Sequence, residues 1–190
     1  MDTLEEYLQQ TETAAQILFE GIDKYLETIK SVPLSDVGTT AKWSAAQKQF
    51  IYESFAMATL CGAVLQLAYM AIKQYSNNSS VPDRFNALIN RGSLAKKFCI
   101  GREKHSVPIG LIIYAGRNQA AHYDDIELRE PNKSIFEKLC KRTSKGGREF
   151  RDPALDLNNG STINFAGNIT YILDWRDYDA YQQDMRNLLC

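Results

Sequence analysis

Cysteine is scarce in this chain and spaced for no obvious chemistry. Cys61, Cys99, Cys140 and Cys190 lie about 40 to 50 residues apart, and no Cys-x-x-Cys pair offers a zinc or dithiol site. That pattern is expected of reduced thiols in a cytoplasmic protein. Histidine is scarcer, with only His105 and His122, and no His/Cys/carboxylate group has metal-ligand spacing, so neither metal nor cofactor is expected. Gly-x-Ser-x-Gly is missing, which removes the usual serine-hydrolase elbow. "KRTSKGGREFR" lacks both a preceding strand and a Gly-Lys-Ser/Thr ending, so it does not qualify as a phosphate loop. The opening "MDTLEEYLQQ" is acidic, with no basic start or apolar core, and no signal peptide is expected from it.

Charge is also absent from one long run. Ser54 to Ile72, "SFAMATLCGAVLQLAYMAI", has the length of a membrane span. It is rich in alanine, however, carries Ser54, Thr59 and Gln66, and lacks an aromatic belt or basic flank. A helix apolar nearly all round suits the centre of a bundle equally well, and that reading is adopted, with no membrane.

What is present describes an ordinary globular protein. The chain has 190 residues, 44% apolar and 24% charged, enough for one domain with a sizeable core. The net charge of −1 conceals an uneven distribution. Residues 1–83 balance to −5, residues 84–151 to +8 and residues 152–190 to −4. A basic middle third favours a polyanionic ligand.

Apolar periodicity predicts a long amphipathic helix over residues 2–31, on Leu4, Leu8, Thr11, Ala15, Leu18, Ile22, Tyr25 and Ile29. Pro33 and Gly38 break it. A second long helix is expected from near Thr40 to about Tyr75, antiparallel to the first because the connection is short. "PDRFNALINR" predicts a short helix. Ser106 is placed to cap another, with Pro108 in its first turn, carrying Ile109, Ile112, Ile113 and Gly116 inward as far as about His122. "NKSIFEKLCKRT" and "DYDAYQQDMRNLL" predict two more helices. "TINFAGNITYILDW" is ambiguous, its β-branched and aromatic content pulling toward strand. The class is all-α, a bundle of four or more helices.

The candidate chemistry lies in "IIYAGRNQAAHYDD", Ile112 to Asp125. Asn118 and His122 are four residues apart, on one helix face. Arg117 is rotated from His122 by about 140°, and its long side chain can reach the same rim. Gly116 and Ala120 make a small-residue strip, suited to close approach of another helix, including one from a second subunit. These residue types suit metal-free cleavage of an RNA phosphodiester. Histidine moves protons near neutral pH, arginine offers a fork of donors to phosphate oxygens, and asparagine can orient the imidazole or bond the phosphate. A helix ending near His122, with Asp124 and Asp125 beyond it, should favour imidazolium. His105 follows Arg102 by three residues without the surrounding pattern and reads as a surface histidine.

An aliphatic run leading into "RNQAAH", a polar residue directly after the arginine, and two long preceding helices together resemble the HEPN superfamily of all-α prokaryotic ribonucleases and toxins. The resemblance covers the helical layout of residues 1–145; residues 146–190 are taken as a C-terminal extension packed on the same domain. It implies a homodimer with a composite ribonuclease site, Arg117, Asn118 and His122 being catalytic, with RNA as substrate and an antitoxin or regulatory protein as a further partner. Lys141 and Arg142, in the basic third, are expected to bind RNA. A non-catalytic nucleotide- or RNA-binding scaffold is the alternative. One toxin branch carries a tyrosine two residues after the histidine; Asp124 stands there and Tyr123 comes one residue early, which argues against modification of Tyr123.

Overall fold

The computed structural model describes residues 3–31, 40–90, 92–124, 128–159 and 164–189, with backbone alone at 40–47. Helices α1 (Leu4–Ser31) and α2 (Thr40–Tyr75) fall where periodicity places them. The Tyr7 hydroxyl donates to the Leu67 carbonyl at 2.9 Å, whereas Gly21 meets Leu60, so the two helices run antiparallel. The buried face of α1 is Leu8, Ala15, Phe19 and Ile22. The stretch Lys48–Tyr75 is long and apolar enough to cross a membrane. In the fold, Cys61, Val64, Leu65, Ala68, Ala71 and Ile72 are at most 1% exposed, because α2 is the central helix against which α1, α3 and the C-terminal helices pack.

The route into the next helix differs from expectation. The predicted helix "PDRFNALINR" ends at Arg91, outside the described residues; its described part forms a 3-10 turn, Asp83–Phe85, followed by turns that seat Phe85 and Ile89 in the core. Strands β1 (Glu103–Lys104) and β2 (Val107–Pro108) pair antiparallel around His105 and Ser106, both at positive φ (52° and 60°). A two-residue hairpin turn requires that conformation, so Ser106 serves the turn and does not cap a helix. Helix α3 (Ile109–Ala121) starts after Pro108 with no side-chain cap. Its first N–H groups are satisfied by preceding backbone, Ile109 donating to Arg102 O at 2.9 Å and Gly110 to Ile100 O at 3.2 Å.

Helix α4 (Asn132–Cys140) ends earlier than its apolar pattern implies. Strands β3 (Lys141–Thr143) and β4 (Glu149–Arg151) follow as a hairpin whose turn uses Gly147 at φ 79°. Arg151 closes the hairpin onto the body, bonding Glu137 and Asp156 at 2.7–2.9 Å. In the ambiguous segment residues 162 and 163 lie outside the described residues, and the rest is built around a helix, α5 (Ala166–Ile172); the expected terminal helix follows as α6 (Tyr178–Leu189). Tertiary contacts override β propensity there. Asn164 accepts the Ala166 N–H at 2.9 Å, the Gln119 side chain accepts the Phe165 N–H at 2.9 Å, and Ile169 seats against Gly116.

One hydrophobic core runs from Leu8 to Met185 and draws Phe165, Ala166, Ile169, Leu173, Trp175 and Tyr181 from the C-terminal third. The acidic C-terminal third meets the basic middle third directly. Arg102 pairs with Asp184 at 2.7 Å, Lys104 with Asp174 at 2.5 Å, Arg142 with Asp152 at 3.1 Å and Arg151 with Asp156 at 2.7 Å. Much of the charge asymmetry read along the sequence is therefore compensated within the folded chain.

Candidate functional site at the end of α3

Arg117 points from α3 toward α2, where its guanidinium is held on three sides. Its Nε donates to Gln66 Oε1 at 2.6 Å, its Nη1 donates to Asn118 Oδ1 at 3.1 Å, and its Cζ lies 4.8 Å from the centre of the Tyr69 ring. Cation–π contact of this kind is worth about 0.5–2 kcal/mol. Nη2 has no hydrogen-bond partner among the described residues. Burial pushes the Tyr69 phenol above its ordinary value, an effect the nearby guanidinium opposes. The arginine is thus fixed in place with one donor edge uncommitted, the condition in which it best meets a phosphate oxygen.

Asn118 faces the other way, its Nδ2 donating to the buried Asn132 Oδ1 of α4 at 3.2 Å. The asparagine therefore joins Arg117 to α4. His122 is the C-cap of α3, exposed, with its backbone N–H donating to the Asn118 and Gln119 carbonyls. It stands about one turn beyond Asn118, at the negative end of the helix. Asp124 is exposed in the following turn. Asp125 lies outside the described residues.

Beside Arg117 opens a pocket of about 220 Å³. Gly62, Ala120, Thr59, Gln66, Tyr123 and Asn164 line it with Arg117. A Cβ on Gly62 would lie 3.4 Å from the Ala120 Cβ, an ordinary contact distance, so α2 and α3 run close together at this point. Gly116 is also used inside the chain: a Cβ there would lie 2.7 Å from Ile169 Cγ2. The Gly116/Ala120 strip accordingly receives α5 and α2 of its own chain. This corrects the expectation that it offers itself to a second subunit.

Lys141 and Arg142 open strand β3, and neither lines the pocket at Arg117. The Lys141 side chain is 67% exposed and 3.3 Å from Glu137. That of Arg142 is 19% exposed, bonded to Asp152 and pressed against His105. His105 sits exposed in its hairpin turn, its pKa pushed down by burial and then by the Arg142 and Lys104 charges. Cys61, Cys99 and Cys140 are free thiols, and no metal-ligating cluster occurs among the described residues.

Sequence reasoning missed Gln66, Tyr69, Asn132 and Asn164. Gln66 carried a readable signal, being the one amide in the uncharged run of α2. Its partner Arg117 lies 51 residues away, and no local pattern joins the two. No protein family, curated protein or solved structure matches this chain.

Proposed function

We propose that the chain is a metal-independent endoribonuclease of the HEPN type, acting on cytoplasmic RNA as a homodimer. The observation that carries the reading is the state of Arg117: clamped by Gln66 and Asn118, stacked on Tyr69, and bordering an open pocket about one helical turn from the exposed His122. Preorganised donors aimed at developing charge are a large source of rate enhancement. In the reaction, the RNA 2′-oxygen attacks the adjacent phosphorus and loses its proton to a neutral imidazole. The bond from phosphorus to the 5′-oxygen breaks, and an imidazolium returns a proton to that oxygen. Arg117 stabilises the charge on the non-bridging oxygens. The products carry 2′,3′-cyclic phosphate and 5′-hydroxyl ends.

Two copies supply the two proton-transfer groups, each contributing Arg117 and His122. An apolar strip supports the assembly. Ala14, Ile17 and Leu18 of α1 line up with Ala63 and Leu67 of α2, and Ile17 is 61% exposed. The strip runs through Gln66 into the Arg117 pocket, so a second copy seated on it would bring the two pockets together. An antitoxin or other regulatory protein would act by covering the same cleft.

A second reading, RNA or nucleotide binding without cleavage, draws on the fact that His122 does not line the pocket. Purified protein incubated with single-stranded RNA in EDTA separates the two. Cleavage to cyclic-phosphate ends supports the ribonuclease, retention of intact RNA supports the binding module, and cleavage abolished by chelator defeats the acid–base mechanism.

A further inference from the structure

The pocket beside Arg117 has a one-sided hydrogen-bonding character. Gln66 commits its Oε1 to the Arg117 Nε–H, and Asn164 commits its Oδ1 to the Ala166 N–H. Both partners are pure donors, which fixes the orientation of the two amides. Each therefore presents its NH₂ group, and neither NH₂ has a hydrogen-bond partner among the described residues. With the uncommitted Nη2 of Arg117, three donor groups border one cavity. Among the described residues, no acidic side chain lines it.

The walls add a second selection. Tyr123 lines the pocket, is 40% exposed, and meets Phe55 edge-on with ring centroids 5.8 Å apart, an arrangement that holds the tyrosine ring in place. A partly exposed aromatic ring lining a pocket is what an unstacked base covers in single-strand recognition. The volume of about 220 Å³ lies below the range of ordinary small-molecule sites, about 300–1,000 Å³, and suits one flat ring without its sugar and phosphate.

We propose that this pocket is a base-selecting subsite, taking one extruded keto base of a single-stranded RNA and excluding adenine. The proposal rests on the ribonuclease reading for its RNA but not for cleavage. The base stacks on Tyr123, its carbonyl accepts from Gln66 or Asn164, and the adjoining phosphate meets Arg117. Adenine has no carbonyl and accepts only through its ring nitrogens, and the N6 amino group beside N1 and N7 sets a donor against the pocket's donors, which leaves polar groups unpaired in the complex.

The test uses His122→Ala protein, so that cleavage does not consume the probe, and compares the oligonucleotides U8 and A8 by fluorescence anisotropy. U8 is expected to bind at least about ten-fold more tightly. Asn164→Asp keeps the oxygen that accepts the Ala166 N–H and removes the NH₂ donor; it should bring the two affinities to within about two-fold while circular dichroism stays native. Tyr123→Ala should weaken U8 by about ten-fold. Equal affinity for U8 and A8, binding of neither, or a preference untouched by Asn164→Asp would overturn the proposal. Base-selective binding by a protein that in wild-type form cuts no RNA would uphold this subsite and defeat the ribonuclease reading. Cleavage without base preference would do the reverse.

Discussion

Gly116→Ala probes the placement of α5 on α3, on which the whole site depends. The added methyl would sit 2.7 Å from Ile169 Cγ2, 3.1 Å from Cγ1 and 3.3 Å from Cβ. The obstacle is a branched side chain with its own Cβ inside contact range, so it cannot swing clear. Overpacking of this kind costs about 1–3 kcal/mol. Alanine recovers about 1 kcal/mol of helix propensity over glycine, leaving a net loss of roughly 0–2 kcal/mol. Ile169→Ala alone should cost about 2–5 kcal/mol, since Ile169 is fully buried. The double variant removes the two closest atoms of the clash and lets the new methyl enter the vacated space. It should be about 1 kcal/mol more stable than Ile169→Ala, the helix-propensity gain now being unopposed, which gives a coupling of about 1 kcal/mol or more in urea denaturation followed by circular dichroism. Light scattering should report the same oligomeric state for Gly116→Ala as for wild type, because the strip is covered within the chain. Strictly additive effects, or a dimer lost with Gly116→Ala at unchanged stability, would refute the packing.

The remaining expectations concern charge. Neutralising Lys141 should weaken RNA binding and lower its salt dependence, with little effect on the cleavage step at saturating RNA. Neutralising Arg142 should also loosen the β3–β4 hairpin, since Asp152 would lose its partner, and hydrogen exchange at Thr143 and Glu149 reads that directly. His105 has a folded pKa below its ordinary value of 6.5, so the unfolded chain takes up its proton first on acidification. Its contribution to stability is complete above about pH 6.5 and is lost as pH falls through the lowered folded value. The melting temperature of wild type should therefore drop more between pH 7.5 and 5.5 than that of His105→Asn, where asparagine tolerates the positive φ. Parallel curves would refute the assignment.

Long-range order was legible in the sequence where local signals were strong. The extents of α1 and α2 agree with those expected from the sequence, the breakers Pro33 and Gly38 lying outside the described residues, and the end of α3 agrees with the pattern running to His122. Both hairpins escaped because each holds only two or three residues per strand, too few for an alternation to register. Segment α5 escaped because its helicity comes from Gln119, Asn164 and Gly116, and two of these lie about 50 residues upstream. Within the site, Arg117, Asn118 and His122 stood out as a motif. Their supports did not, because the bonds from Gln66 and Asn132 form only once α2 and α4 have packed against α3.

The most direct measurement compares wild type with His122→Ala on one labelled single-stranded RNA, reading cleavage rate and affinity together in EDTA. A proton-transfer role predicts a rate lower by about two to four orders of magnitude at nearly unchanged affinity. Arg117→Ala, run beside it, should lose both rate and affinity, because the guanidinium meets phosphate before and during the reaction. Cleavage by His122→Ala at the wild-type rate would contradict the account and leave "RNQAAH" a structural helix end.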